Sequence, residues 1–240
     1  MMPVVFIHGV GDSARSWEEV IAGLDARLEP ITYDLRGHGT TETRPLVSTI
    51  DDFAADLLDE LSSRGIDRAD VVGFSLGGLI AQAVAVEHPE RVRRLVVIGS
   101  VAGRTEEERG RAAARLADVT EIGPLAVAER SLDRWFSPGF LDDRPEVRAG
   151  ILTRMTALDP LAYTAAYRVL ASTDLIGKLD RIAAPTLAIA GEFDVGSPPR
   201  MSERIAEVSG GRAVVIPGVR HSLLHEAPTR ITKEINDHLT

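Results

Sequence analysis

Ser75, Asp194 and His221 are side chains of the types that together perform acyl transfer, and each sits in a stretch that could present it. Ser75 lies in Val71-Val72-Gly73-Phe74-Ser75-Leu76-Gly77-Gly78, a G-x-S-x-G pattern that follows an apolar run and opens a long apolar segment. That context predicts strand, sharp turn and helix, with the serine hydroxyl projecting from the turn. Gly73 and Gly77 omit side chains where strand and helix backbones would crowd the serine. A neutral hydroxyl is a weak nucleophile and needs a base. His221 would take its proton during attack and return it to the leaving group, while Asp194 holds the imidazole in one tautomer and stabilises the transient imidazolium. Glu192 is the competing acid, nearer the preceding strand. His225, followed by Glu226, could share a helix face with His221 and suggests a metal pair, but no third ligand cluster accompanies it.

The same chemistry requires donors aimed at the developing oxyanion. Leu76 would offer a backbone N–H at a helix start, where the helix dipole adds to it. Val10, in the glycine turn His8-Gly9-Val10-Gly11, is the candidate for the second donor, because flanking glycines let the backbone approach a substrate closely.

The elements that must carry these groups alternate. Val4 to Ile7 is an apolar run with the character of a strand covered on both faces. Ser16 caps a helix expected to run to about Leu28, and Ile31 to Asp34 reads as the next strand, emptying into Leu35-Arg36-Gly37-His38-Gly39, where His38 is expected to stabilise the turn. Asp51 and Asp52 open an amphipathic helix closed by Gly65; the elbow follows, then an apolar helix to Val86 and a strand from Val92 to Gly99. Strand patterning then vanishes until Lys178. Helical segments at 105–119, 124–135, 145–158 and 160–173 replace it, as in a cap over the sheet's active edge. Alternation resumes with Pro185 to Gly191, a helix near 198–208, a strand at Ala213 to Ile216 and a closing helix from Pro228. Ser75, Asp194 and His221 each lie just beyond a strand's C-terminal end, where open α/β sheets gather catalytic groups.

Composition narrows the rest. The chain has 240 residues, no cysteine and a formal charge of -9 without a basic patch. Disulfides and thiolate chemistry are excluded, and neither nucleic acid nor an anionic membrane is an expected partner. No long apolar run and no signal-peptide pattern at the N-terminus are visible, so a cytoplasmic location is expected.

Five motifs together resemble the α/β-hydrolase superfamily over nearly the whole chain: His8-Gly9-Val10-Gly11, Asp34-Leu35-Arg36-Gly37-His38-Gly39, Gly73-Phe74-Ser75-Leu76-Gly77-Gly78, Gly191-Glu192-Phe193-Asp194, and His221 followed by Glu226-Ala227-Pro228. The stretches Trp135 to Phe140 and Leu158 to Tyr163 are similar to the cap of 3-oxoadipate enol-lactonases and their esterase relatives. The resemblance implies an α/β-hydrolase fold with a mostly parallel sheet of about six strands, a core from residues 1–101 and 179–240, and a helical cap at 102–178. Family members usually carry two strands before the one at Val4, so a sheet edge that is exposed or otherwise protected is expected here. The implied activity is cofactor-free, metal-free hydrolysis of a small ester or lactone through Ser75, Asp194 and His221, with Val10 and Leu76 as oxyanion donors. Trp135, Phe136 and Arg134 are candidates for the substrate pocket, with Arg130 and Arg154 as further cations for a substrate carboxylate. The same triad would serve a carbon–carbon hydrolase acting on a vinylogous diketone. A slow-turnover receptor on this fold is the third reading. Dehalogenases and epoxide hydrolases need an acid at the nucleophile position, and Ser75 argues against both.

Overall fold

The apolar runs form the inner strands of one sheet. In the computed structural model, which describes residues 1–240, β1 (Met2–Ile7), β2 (Leu28–Thr32), β3 (Ala69–Phe74), β4 (Val92–Ile98), β5 (Thr186–Gly191) and β6 (Arg212–Ile216) pair in the order β2-β1-β3-β4-β5-β6. Every pairing is parallel. Both β3 and β5 are buried along their whole length, as strands covered on both faces are, and the one charge among them, Asp70 of β3, is paired with Arg93 of β4.

Side chains divide between the faces with the strand period of two. Val5, Ile7, Val71 and Val97 pack with Phe53, Leu57, Leu79 and Ile80 of two helices, α2 (Ile50–Ser63) and α3 (Leu76–Glu87). Val4, Phe6, Val72 and Val96 pack on the other face with Trp17, Ile231 and Ile235, the last two from α10 (Pro228–Leu239). Two further helices flank the sheet, the four-residue α1 (Glu18–Ile21) and α8 (Pro199–Ser209), and the short α9 (Leu223–Glu226) follows the His221 loop.

The edge strand β2 is short and places Pro30 opposite Val4. Proline has no N–H to offer a further strand, and exposed Glu29 adds a charge, so the edge resists pairing with another chain.

Between β4 and β5 the chain is helical: α4 (Glu106–Trp135), α5 (Phe140–Asp143), α6 (Pro145–Ala157) and α7 (Pro160–Ser172). Helix α4 is broken at Gly123, whose φ of 80° and ψ of 169° precede Pro124, so its halves match the two helices expected on either side of that point. These helices share an apolar cluster that includes Val127, Leu132, Phe136, Met155, Tyr163 and Tyr167. Through Ala165, Ala166 and Val169, α7 also joins the core beneath the sheet.

Two expectations need correction. The helix after Ser16 stops at Ile21 instead of reaching Leu28, because Asn236 of α10 ties the following turn, donating to the Gly23 carbonyl and accepting from the Asp25 N–H. β2 accordingly begins at Leu28 and ends at Thr32, short of Asp34, with its register set by Leu28 opposite Met2.

Candidate active site

Order reverses at β1, which lies between β2 and β3, and the crevice at such a switch point is where α/β sheets bind ligands. The elbow after β3 and the glycine turn after β1 are therefore neighbours. Ser75 has φ 54° and ψ -113°, and no other residue besides glycines has positive φ. Such backbone costs about 1–3 kcal/mol and persists only where its surroundings over-determine it. The Ser75 N–H donates to Ile98 O at 2.9 Å, and the Ser75 carbonyl accepts from Leu79 N at 3.1 Å and from the Ser100 hydroxyl at 2.8 Å. Gln82 donates in turn to Ser100 Oγ at 3.2 Å. A Cβ at Gly77 would lie 2.1 Å from Ile7 O, and one at Gly73 would lie 2.2 Å from Gly77 O, so both positions exclude a side chain.

Asp194 and His221 follow β5 and β6. The His221 Nδ1–H donates to Asp194 Oδ2 at 2.7 Å, which leaves Nε2 with a lone pair directed away from the carboxylate. Asp194 Oδ1 accepts from Gly196 N at 2.8 Å and Ser197 N at 2.9 Å. Burial works to raise the Asp194 carboxyl, but the imidazole and these two amides outweigh it and hold the group below the usual carboxylate range. The ring of Phe74 lies 5.2 Å from that of His221. No hydrogen bond joins Ser75 Oγ to His221 in this structure; both line one cavity. Glu192 is exposed and its carboxylate accepts from Gly218 N at 2.8 Å, away from the histidine.

The glycine turn is held from two sides. Gly11 N–H donates to His38 Nε2 at 3.0 Å, and Leu35 N–H donates to His8 Nε2 at 3.0 Å. Each ring turns its Nδ1–H to a backbone carbonyl, His8 to Gly9 at 2.8 Å and His38 to Arg36 at 3.2 Å. Burial lowers both imidazole pKa values, so both rings are neutral and the 4.0 Å approach of His8 to Asp34 is not an ion pair. His38 has the turn-stabilising place expected of it. A Cβ at Gly9 would lie 3.2 Å from Ser75 Cβ, which brings the turn against the serine. Val10 N–H has no acceptor within the protein, and Leu76, first residue of α3, has none within its helix.

The cavity has a volume of about 160 Å³, the order that holds a benzene-sized molecule. Trp135, Phe136 and Arg134 all line it. Phe136 is 2% exposed and stacks on Phe140 at 5.4 Å, so it packs the cap as well as facing the cavity. Arg134 donates to Ser131 Oγ at 2.7 Å and has no carboxylate partner. Burial and the neighbouring Arg115 guanidinium both disfavour its charge. Arg130 is exposed and does not line the cavity, so it does not make the substrate contact expected of it. Arg154 lines the cavity but pairs with Asp12 at 3.1 Å. His225 also lines it, its ring 6.0 Å from that of Phe136, and Glu226 is engaged with the Ser137 N–H at 3.0 Å, which separates the suggested metal pair. Asp12 and Arg115 were not singled out from sequence. Arg104, Glu108, Arg111 and Arg115 all line the cavity, and their spacing of four, three and four residues was the legible sign of one charged helix face.

A family model described as "Alpha/beta hydrolase family" matches residues 4–234. Among curated relatives, the chain is 32% identical to 3-oxoadipate enol-lactonase 2 of Acinetobacter baylyi over 80% of its own length and 71% of that protein's. It is 31% identical to the pimeloyl-[acyl-carrier protein] methyl ester esterase of Neisseria meningitidis over 91% of its length and 85% of the relative. The solved structure of the enol-lactonase from Burkholderia xenovorans superposes with a TM-score of 0.91 at 27% identity, covering 99% of this chain and 91% of that one.

Proposed function

This chain belongs to the alpha/beta hydrolase family, and from that premise we propose that it cleaves a small carboxylic ester or lactone through Ser75, His221 and Asp194. One observation carries the reading: His221 gives its Nδ1–H to buried Asp194, and its other nitrogen is left to serve the cavity onto which the strained Ser75 also opens. In this mechanism His221 Nε2 accepts the hydroxyl proton as Ser75 Oγ bonds to the carbonyl carbon. The carbonyl oxygen becomes an oxyanion, received by the unpaired N–H groups of Val10 and Leu76. Collapse breaks the bond to the alkoxy group, which takes the proton from His221. Water, deprotonated by the same nitrogen, then attacks the acyl-enzyme and releases the acid.

Arg134 favours substrates that carry a carboxylate. A guanidinium held in a partly desolvated cavity without a carboxylate of its own is costly, and a ligand anion would relieve that cost bidentately. Relatives named as enol-lactonases point the same way. Turnover of p-nitrophenyl acetate tests the reading: release of p-nitrophenolate above the buffer rate that vanishes in Ser75→Ala supports it. Equal release by both proteins overturns it, and absent turnover beyond one acylation would favour the receptor reading.

A further inference from the structure

The residue after the proposed oxyanion donor is pressed from above by the cap. Gly11 has a φ of +76°, and a Cβ there would lie 2.4 Å from Met155 Cε and 2.9 Å from Tyr163 Cε2. Next along the chain, Asp12 Oδ1 accepts its own neighbour's amide, Ser13 N, at 2.9 Å and pairs with Arg154 Nη2 of α6 at 3.1 Å. On the underside, His38 Nε2 holds Gly11 N–H at 3.0 Å. The turn that carries His38 is itself capped, since a Cβ at Gly37 would meet Ala162 Cβ of α7 at 2.7 Å. Val10 therefore sits in a turn whose next two residues meet cap helices, and the turn that carries its supporting histidine meets a further cap residue at Gly37.

We propose that Arg154 is a positioning residue that sets the oxyanion turn through Asp12, so that the cap and the oxyanion hole assemble as one unit. The proposal rests on the reading of Val10 as an oxyanion donor. Its chemistry is that of a part-buried ion pair: the two side chains are 30% and 16% exposed, and Asp12 is the one carboxylate that Arg154 reaches. The buried Nε of Arg154 has no partner, so nothing in the cap ties this guanidinium elsewhere. Because the carboxylate is also fixed to the Ser13 amide, a displacement of α6 is transmitted to the backbone at Asp12 and Ser13, two and three residues from Val10. A second cap-to-core pair, Arg144 with Glu19 at 3.2 Å, lies on exposed surface and touches no part of the turn. It provides the control.

Misplacing a pre-aimed donor by about an ångström costs turnover more than binding, with losses on the order of ten- to a hundredfold. The variants Arg154→Gln, Asp12→Asn and the double change should each lower kcat on neutral p-nitrophenyl acetate by about that factor, with KM within about twofold of the parent. The double should be no worse than either single, because both remove one interaction. An aryl trifluoromethyl ketone, whose adduct with Ser75 places an oxyanion in the hole, should weaken in parallel. Arg154→Lys should recover part of kcat, which guards against a variant that fails to fold, and Arg144→Ala should retain full kcat. Full kcat in Arg154→Gln, multiplicative losses in the double, equal loss in Arg144→Ala, or a rise in KM confined to anionic esters would each overturn the proposal. Hydrolysis intact in Arg154→Gln removes this inference alone, whereas loss of Ser75-dependent hydrolysis in the parent protein removes the functional reading beneath it.

Discussion

The Gly11 N–H donates to His38 Nε2 at 3.0 Å, joining the loop after β1 to the turn after β2 through an imidazole that must be unprotonated at that nitrogen. Burial, reinforced by nearby His8, pushes the His38 pKa down from 6.5 to about 3. A histidine whose folded pKa is depressed leaves the unfolded chain holding more protons between those two values, so stability rises with pH across that window. The contribution is full above about 6.5 and is lost as pH falls toward about 3. Melting temperatures measured from pH 7 downward should decline through this range. His38→Asn, which keeps an acceptor but does not titrate, should decline less steeply; an unchanged slope would remove His38 from the account. His8, also depressed by burial, should supply part of the slope that remains.

Glycine substitutions should separate sterics from helix propensity. Gly77→Ala sets a Cβ 2.1 Å from Ile7 O and 2.6 Å from His8 O, both backbone, and should destabilise the protein and abolish activity together. Gly110→Ala, exposed on α4 with nothing within 4 Å of the new atom, should stabilise by about 0.5–1 kcal/mol with activity preserved. Denaturant titration of the pair checks both signs.

These two glycines also mark what could be read in advance. The elbow was legible because one short stretch carries its whole chemistry: two glycines, a serine and a following apolar helix. The strands β1, β3, β4 and β5 were legible because burial on both faces leaves an apolar run in each, Val4 to Ile7, Val71 to Phe74, Leu95 to Ile98 and Leu187 to Gly191, with the charges Asp70, Arg93 and Arg94 confined to strand starts. What escaped was set by distant partners. The early end of α1 depends on Asn236, more than two hundred residues away, and the limits of β2 depend on register against β1. In the cavity wall, which cap arginine faces inward is decided by helix rotation and not by residue type, so Arg130 and Arg134 could not be told apart.

Trp135 and Phe136 should respond differently. Phe136 is buried in the cap cluster, and Phe136→Ala should cost about 3–5 kcal/mol in unfolding free energy. Trp135 is half-buried on the cavity wall, so Trp135→Ala should cost less stability and reorder kcat/KM across a series of acyl chain lengths. Calorimetry with a substrate panel checks both; an unchanged ranking in Trp135→Ala would assign that ring to packing alone.

Arg134→Gln should lower kcat/KM for esters whose acyl chain ends in a carboxylate by about 10- to 100-fold, since a charge-assisted bond is worth about 1.5–3 kcal/mol. Neutral esters of equal length should be nearly unaffected. An equal loss on both would mean that Arg134 supports the cavity wall and not the ligand.

The most direct measurement is the site of covalent capture. Treated with a fluorophosphonate, the protein should gain one adduct, mapped by peptide mass analysis to Ser75, and His221→Ala should slow that labelling strongly. Asp194→Asn should slow labelling as well, whereas His225→Ala should leave Ser75 labelled. An adduct on any other serine, or Ser75 labelling unaffected by loss of His221, would contradict the proposed triad.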